Sequence, residues 1–349
     1  MNFPKFSLDE LEVIDELPGR RGSTQIFNSP ITSKENILRM YEGKTPMWIP
    51  SPSEWVSLKV DIDPDNVARS PKEGIDSWGV PWQWVDVAGG PMVRPGQPVC
   101  PDINEWEKYL TVPNPDEWDW KLFAQQAEEK FKPNLIRHVG FGSCLFERLI
   151  AVLDCAEALI ALVDDDQKEA VHRFFRVITD YRKRYYELCK QWLNVDVLNF
   201  NDDWGTQRAP FFSRATAEEM LVPYVTEAVQ KAHDLGCYVE LHCCGFVEPF
   251  VPFFIQEGMD SWMGQPINDK PKLKRMYGDQ LIMAHEKDLK PDEDDENVIR
   301  IAVKEFIDEC GYDNRAYNFT RNNIAFNKEL YIQSRKNFDK MVEEGTAIL

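Results

Sequence analysis

Val195-Asp196-Val197-Leu198-Asn199-Phe200 runs into Asn201-Asp202-Asp203-Trp204-Gly205-Thr206-Gln207, and one helix later Tyr238-Val239-Glu240-Leu241 runs into His242-Cys243-Cys244-Gly245. Each apolar run has the length of a strand, and each ends in a polar cluster. Successive strands separated by a helix run parallel, so their polar ends gather along one rim of the sheet. Alternation along the second strand puts Glu240, His242 and Cys244 on one face and Leu241 and Cys243 on the other. An imidazole and a thiolate on one face suit a shared zinc ion. The ordinary alternative is a histidine and a thiol that only pack. Asp202 and Asp203 are suited to orient a substrate, to act as general acid or base, or to hold a cation. Carboxylates in such loops also cap the segment that follows. Their place at a strand end favours function for one of the two.

The same alternation extends in both directions. Helical spacing is expected over Trp120–Phe131, over a single buried stripe Leu145–Val163, and over Gln167–Trp192. Further helices are expected from Thr216, where Thr216 and Glu219 form a capping-box pattern and Gly236 is the stop, and at 270–277, 297–310 and 327–344. Between them lie strand candidates at 135–139, 195–200, 238–242, 260–263, 281–284 and 316–319. Seven or eight strand–helix units favour a closed eight-stranded barrel over an open sheet. His285 and Glu286 end one strand and His138 another, so three of the five histidines fall at strand ends. His172 and His233 are mid-helix and read as surface or packing residues.

Before residue 119 the texture changes. Residues 1–32 read as an extended N-terminal arm with loop signals at Pro18-Gly19 and Asn28-Ser29-Pro30, and 33–349 as the barrel. A helix from Ser33 stops at Gly43, and Met47-Trp48-Ile49 reads as a short strand. Residues 51–118 are rich in proline and glycine, with a strand or hairpin at Trp78–Val87, and read as a lid. Seven of the eleven tryptophans fall between 48 and 118. Such rings can line a pocket for a flat aromatic molecule or simply pin a long loop. Gly89-Gly90 and Gly140-Phe141-Gly142 make no phosphate-binding signature, and no nucleophile elbow is present.

Composition narrows the class. The formal charge of −19, without a basic stripe, argues against a nucleic-acid partner. No stretch approaches the roughly 18 apolar residues of a membrane span. Met1–Gly19 lacks a signal-peptide core, and eight cysteines are scattered without a disulfide framework. A cytoplasmic enzyme with reduced thiols is expected.

Asp76-Ser77-Trp78-Gly79-Val80, Asp202-Asp203-Trp204-Gly205-Thr206-Gln207 and His242-Cys243-Cys244-Gly245, in that order, carry a resemblance. The chain resembles the uroporphyrinogen decarboxylase superfamily over roughly residues 33 to 345, and within it the methyltransferases that work with corrinoid proteins. The resemblance implies a (β/α)8 TIM barrel. The arginine-rich N-terminal motif of the decarboxylases has no counterpart, Pro18-Gly19-Arg20-Arg21-Gly22 being a superficial echo. Thiol-activating members hold zinc through a His-x-Cys pair and a later cysteine near the last strand. His242 and Cys244 match the pair, but Ala316-Tyr317-Asn318-Phe319-Thr320 holds no cysteine, and Cys310 lies in the preceding helix. A third ligand would then be Glu240 or His285, or the site holds no zinc.

The resemblance therefore implies the O-demethylase branch. These enzymes move a methyl group from an aromatic methyl ether to the cobalt(I) of a corrinoid (cobalamin) on a separate protein. In that reading Asp202, Asp203, His242 and His285 are catalytic. Trp78, Trp82, Trp84, Trp204, Gln207 and Glu240 bind substrate. The corrinoid protein is the partner, and a homodimer is compatible. The alternatives are a zinc-dependent cobalamin:thiol methyltransferase and a non-catalytic member that binds a corrinoid or tetrapyrrole.

Overall fold

Parallel strands alternate with helices through most of the chain, which makes the fold α/β. A computed structural model describes residues 3–19, 22–51, 54–59, 74–87, 90–140, 142–290, 292–320 and 323–349. The elements in order are β1 (Val13–Gly19), β2 (Gly22–Phe27), α1 (Ser33–Tyr41), β3 (Trp55–Lys59), β4 (Gly74–Ile75), β5 (Pro81–Val85), β6 (Gly90–Val93) and α2 (Trp120–Glu128). There follow β7 (Ile136–Gly140), α3 (Leu145–Leu153), α4 (Cys155–Ala161), α5 (Lys168–Leu193), β8 (Val197–Asn201), α6 (Arg214–Met220), α7 (Val222–Asp234) and β9 (Tyr238–His242). The chain ends with α8 (Val251–Gln256), β10 (Ser261–Met263), α9 (Lys270–Tyr277), β11 (Ile282–His285), α10 (Glu296–Cys310), β12 (Ala316–Asn318) and α11 (Ile324–Glu344). By backbone proximity the chain divides into two units, one of residues 1–56, 131–136 and 260–349, the other of 57–130 and 137–259.

In the first unit β10, β11 and β12 are parallel neighbours. Helices α10 and α11 cover them through Ile299, Val303, Phe306, Phe326 and Leu330. Where the sequence reads as an extended arm, β1 and β2 form an antiparallel hairpin. The segment before it is fixed by a buried ion pair. Arg335 on α11 donates to both carboxylate oxygens of Glu10 at 2.8 and 2.9 Å, and Tyr331 adds a hydroxyl at 2.7 Å. A buried carboxylate needs such partners, so these residues belong to the folded body. Met47-Trp48-Ile49 is not a strand. The Asn36 side chain accepts the Met47 N–H at 2.7 Å and donates to the Trp48 carbonyl at 2.9 Å, replacing a strand ladder. The Trp48 ring then packs with Phe27, Tyr331 and Phe338.

In the second unit the strands run β3-β7-β8-β9, the last three demonstrably parallel, with His138 opposite Val197 and Asn201 opposite His242. The 145–163 stripe is two helices. Asp154 adopts φ +91, ends α3, and accepts the Cys155 N–H at 2.7 Å to start α4. The helix expected from Thr216 begins earlier, because Ser213 caps it by accepting the Thr216 N–H at 3.1 Å. The part of 51–118 that is described contains the antiparallel sheet β4-β5-β6 and a 3-10 helix at Ile103–Lys108. Residues 60–73 of the proposed lid, and Arg20, Arg21, Gly89 and Phe141, lie outside the described residues. No helix among the described residues is long and apolar enough to cross a membrane.

Candidate functional site

The parallel pairing of β8 with β9 brings the two strand ends level, since Asn201 is opposite His242. The chains beyond them stay together. The Asp202 N–H donates to the His242 carbonyl at 3.0 Å, and the Cys244 N–H donates to Asp203 Oδ1 at 2.6 Å. Cys244 Sγ lies 3.3 Å from His242 Nε2. One donor atom each from Asp203, His242 and Cys244 falls within 4.8 Å of the others, and all three residues are half-buried. This is a carboxylate, an imidazole and a thiol converging on one small volume.

Two glycines permit that convergence. A Cβ on Gly245, which sits at φ +85, would lie 2.0 Å from the Gly205 carbonyl oxygen. A Cβ on Gly205 would lie 2.8 Å from the Phe246 backbone. The loops after β8 and β9 therefore touch backbone to backbone, locked by a Phe246 N–H to Thr206 carbonyl bond of 2.7 Å. Only glycine tolerates such an approach at positive φ.

The adjacent aspartates have different tasks. Asp202 is fully buried and caps α3, accepting the N–H groups of Phe146 at 3.1 Å and Glu147 at 2.9 Å and the Trp204 indole N–H at 2.8 Å. Burial raises its carboxyl to about 6. Fully buried and held by three protein donors, it anchors the N-terminus of α3 to the end of β8. Trp204 is likewise buried, packed among Phe212, Phe250 and Phe254. It is 2% exposed within this aromatic cluster. Thr206 closes its own turn with Ala209, and Gln207 is exposed beside it.

Glu147 was not singled out by sequence. It is the third residue of α3, and Asn201 Nδ2 donates to its Oε2 at 2.6 Å. Burial first, then the charges of Asp203 and Asp202, raise its carboxyl well above the usual range. It is thus an acid held against the site by the strand end it touches. The available signal was its place just after the loop that follows β7, the rim on which the two clusters lie.

One layer below, Glu240 is buried, accepts the Asn199 amide at 3.1 Å, and lies 3.4 Å from His138 Nε2. Neither Glu240 nor His285 joins the Asp203–His242–Cys244 group among the described residues, and Asp203 takes the third place. His285 belongs to the other unit. It ends β11, buried edge-on against Phe306, and burial followed by the charges of Lys270, Lys274 and Lys287 pushes it down to about 3. It is therefore a neutral imidazole.

The tryptophans divide. Trp78 is buried against Phe174 and Tyr181, with the Arg148 guanidinium over its ring. Asp76 accepts the N–H groups of Trp78 and Val80 and the Trp82 indole at 2.8 to 2.9 Å, and pairs with Arg148. The Asp76–Val80 motif is thus a turn fastened to α3. Trp82 and Trp84 share a face of β5 and stay half-buried, so they retain surface for a ligand.

No family model and no curated protein matches the chain. Among solved structures it is similar to an endo-1,4-beta-xylanase from Caldicellulosiruptor owensensis, at 12% identity over 60% of this chain and 72% of that one, with a TM-score of 0.31. A sugar phosphate isomerase/epimerase from Parabacteroides distasonis is similar at 11% identity, 64% and 74% coverage and a TM-score of 0.30. A D-psicose 3-epimerase from Clostridium cellulolyticum H10 is similar at 13%, 65% and 83%, with a TM-score of 0.26. These likenesses are too low to bear on activity.

Proposed function

We propose that the chain is a methyltransferase that takes a methyl group from an aromatic methyl ether and passes it to the cobalt(I) of a corrinoid on a separate protein. The reading includes a closed (β/α)8 barrel of the uroporphyrinogen decarboxylase type, with 51–118 as its lid. The observation that carries it is the convergence of Asp203, His242 and Cys244 within 4.8 Å at adjoining strand ends. Oxygen, nitrogen and sulfur donors in one half-buried cluster fit zinc, and three protein ligands are the number a catalytic site uses. Asp203 Oδ1 is already oriented by the Cys244 N–H, which leaves its second oxygen to face a metal. Bound there, zinc would supply a Lewis acid for the phenolate oxygen as the C–O bond breaks.

The chain's own side chains supply the rest. Glu147 holds a proton beside the cluster and can give it to the departing oxygen. Trp82 and Trp84 offer ring faces on which an arene can stack. Asp202 keeps the N-terminus of α3, and with it Glu147, in register with the end of β8.

The test is a zinc analysis run beside a methyl-transfer assay with a reduced corrinoid protein and a panel of methoxyarenes. Stoichiometric zinc, and transfer abolished by Cys244→Ala, are expected. Transfer only to or from a thiol would replace this reading with the thiol methyltransferase. Corrinoid binding without any turnover would replace it with the non-catalytic one.

A further inference from the structure

Ser57, on β3, has an exposed side chain whose Oγ is 3.0 Å from His138 Nδ1. The other ring nitrogen, Nε2, faces Glu240 Oε1 at 3.4 Å. His138 and Glu240 are 5% and 4% exposed, so solvent reaches the hydroxyl and not the two groups behind it. All three belong to the unit formed by 57–130 and 137–259. A hydroxyl, an imidazole and a carboxylate within 3.0 and 3.4 Å of one another in succession are the parts of an activated nucleophile.

The buried end is built for positive charge. Glu240 Oε1 also accepts the Asn199 amide at 3.1 Å, while its Oε2 is buried without a hydrogen bond. Enclosing a carboxylate in this way is costly unless a cation forms beside it. The 3.4 Å separation from Nε2 is an ion-pair distance, longer than a good neutral hydrogen bond, and a proton taken up on Nδ1 would tighten it. Ser57 then donates to Nδ1, and the ring carries its own hydrogen on Nε2, which lies 3.4 Å from Glu240 Oε1 without a hydrogen bond to it. The imidazole is turned end for end relative to the commonest serine hydrolases. Either nitrogen can act as base when the other donates. Beside the pair, Gly140 leaves room, since even a Cβ there would be 4.0 Å from Ser57 Oγ and 3.9 Å from the His138 ring.

We infer that Ser57, His138 and Glu240 form an acyl-transfer site for small carboxylic esters, separate from the Asp203–His242–Cys244 cluster. Ser57 Oγ bonds to the ester carbonyl carbon while its proton passes to His138 Nδ1. The bond from that carbon to the alkoxide breaks, and the alkoxide leaves with the proton from Nδ1. Water, deprotonated by the same nitrogen, then attacks the acyl-serine, releases the carboxylic acid and restores the Ser57 hydroxyl. Glu240 faces the imidazolium in both halves.

The experiment treats the full-length protein with a fluorophosphonate and locates the adduct by peptide mass spectrometry, with p-nitrophenyl acetate hydrolysis measured in parallel. The expected result is modification of Ser57 in native protein and not in urea-unfolded protein. His138→Ala should lower the labelling rate at least about 100-fold, in the range of a lost general base. Because His138→Ala could disturb the strand, Ser57→Cys is the second variant. Its thiol should react with iodoacetamide at pH 6 faster than a free cysteine, and lose that advantage in Ser57→Cys combined with Glu240→Gln. No adduct on Ser57, an adduct indifferent to His138, or a thiol of ordinary reactivity in Ser57→Cys would each overturn the proposal.

Discussion

Asp203 accepts the backbone N–H of Cys244 at 2.6 Å, so one candidate ligand orients the chain that carries another. Asp203→Ala should therefore harm the site twice, through a lost donor and a lost constraint, whereas Cys244→Ala keeps the backbone N–H and loses a donor alone. Asp203→Ala and Cys244→Ala should each weaken zinc binding by more than about 10-fold, the lower bound of what the loss of an outer partner alone brings. Competition against a chromophoric chelator measures it. Unchanged affinity in both variants would remove the metal from this site.

Glu147 should separate proton delivery from metal binding. Glu147→Gln keeps the shape and can keep a partner for Asn201, but it carries no acidic proton. Methyl transfer should fall by roughly 10²–10⁴, as for a general acid, with zinc content unchanged. A variant as active as the parent would leave the proton to another group.

The Gly205–Gly245 contact predicts unequal costs for glycine substitutions. Gly43 is at φ +75 with open space where a Cβ would be, so Gly43→Ala should cost only about 1–2 kcal/mol of backbone strain. Gly245→Ala meets both that strain and a Cβ 2.0 Å from the Gly205 oxygen. It should lose roughly 3 kcal/mol or more, and weaken zinc binding because both loops must part. Urea midpoints of the two variants provide the comparison.

His285 predicts a pH dependence of stability. Its folded value of about 3 lies below the ordinary 6.5, so the unfolded chain binds more protons between those pH values. Its contribution is complete above pH 6.5 and is lost as pH falls toward 3, with a total on the order of 3–5 kcal/mol. His285→Gln should flatten that part of the stability–pH curve. An unaltered slope would mean that other groups set it.

The rim was readable because strand ends concentrate polar residues after apolar runs, and His242 and Cys244 needed only the two-residue alternation of β9. Asp203 reads as a possible cation binder, yet its convergence with His242 and Cys244 is not legible in the sequence. Neighbouring aspartates look alike in one dimension, and what separates them is the N-terminus of α3, which engages Asp202 from 55 and 56 positions away. Glu147 was hidden for the same reason, as one polar position within an apolar helical stripe. Ring chemistry suggests a pocket for Trp78 and the resemblance a substrate contact for Trp204, and neither reading shows that neighbours on α5 and after β9 enclose the two rings. The break at Asp154 escaped periodicity because α3 and α4 continue one apolar pattern through a residue whose φ is positive.

The pairing of Asp76 with Arg148 reaches further than the turn it fastens. Arg148 follows Glu147 directly in α3, and Asp76 also holds the Trp82 indole. A ligand that presses on Trp82 consequently pulls on the helix bearing the acid, through two side chains and no loop. In the proposed methyl transfer, occupancy of the small antiparallel sheet and the readiness of Glu147 would then rise and fall together, a mechanical means of withholding a proton until a ring is seated.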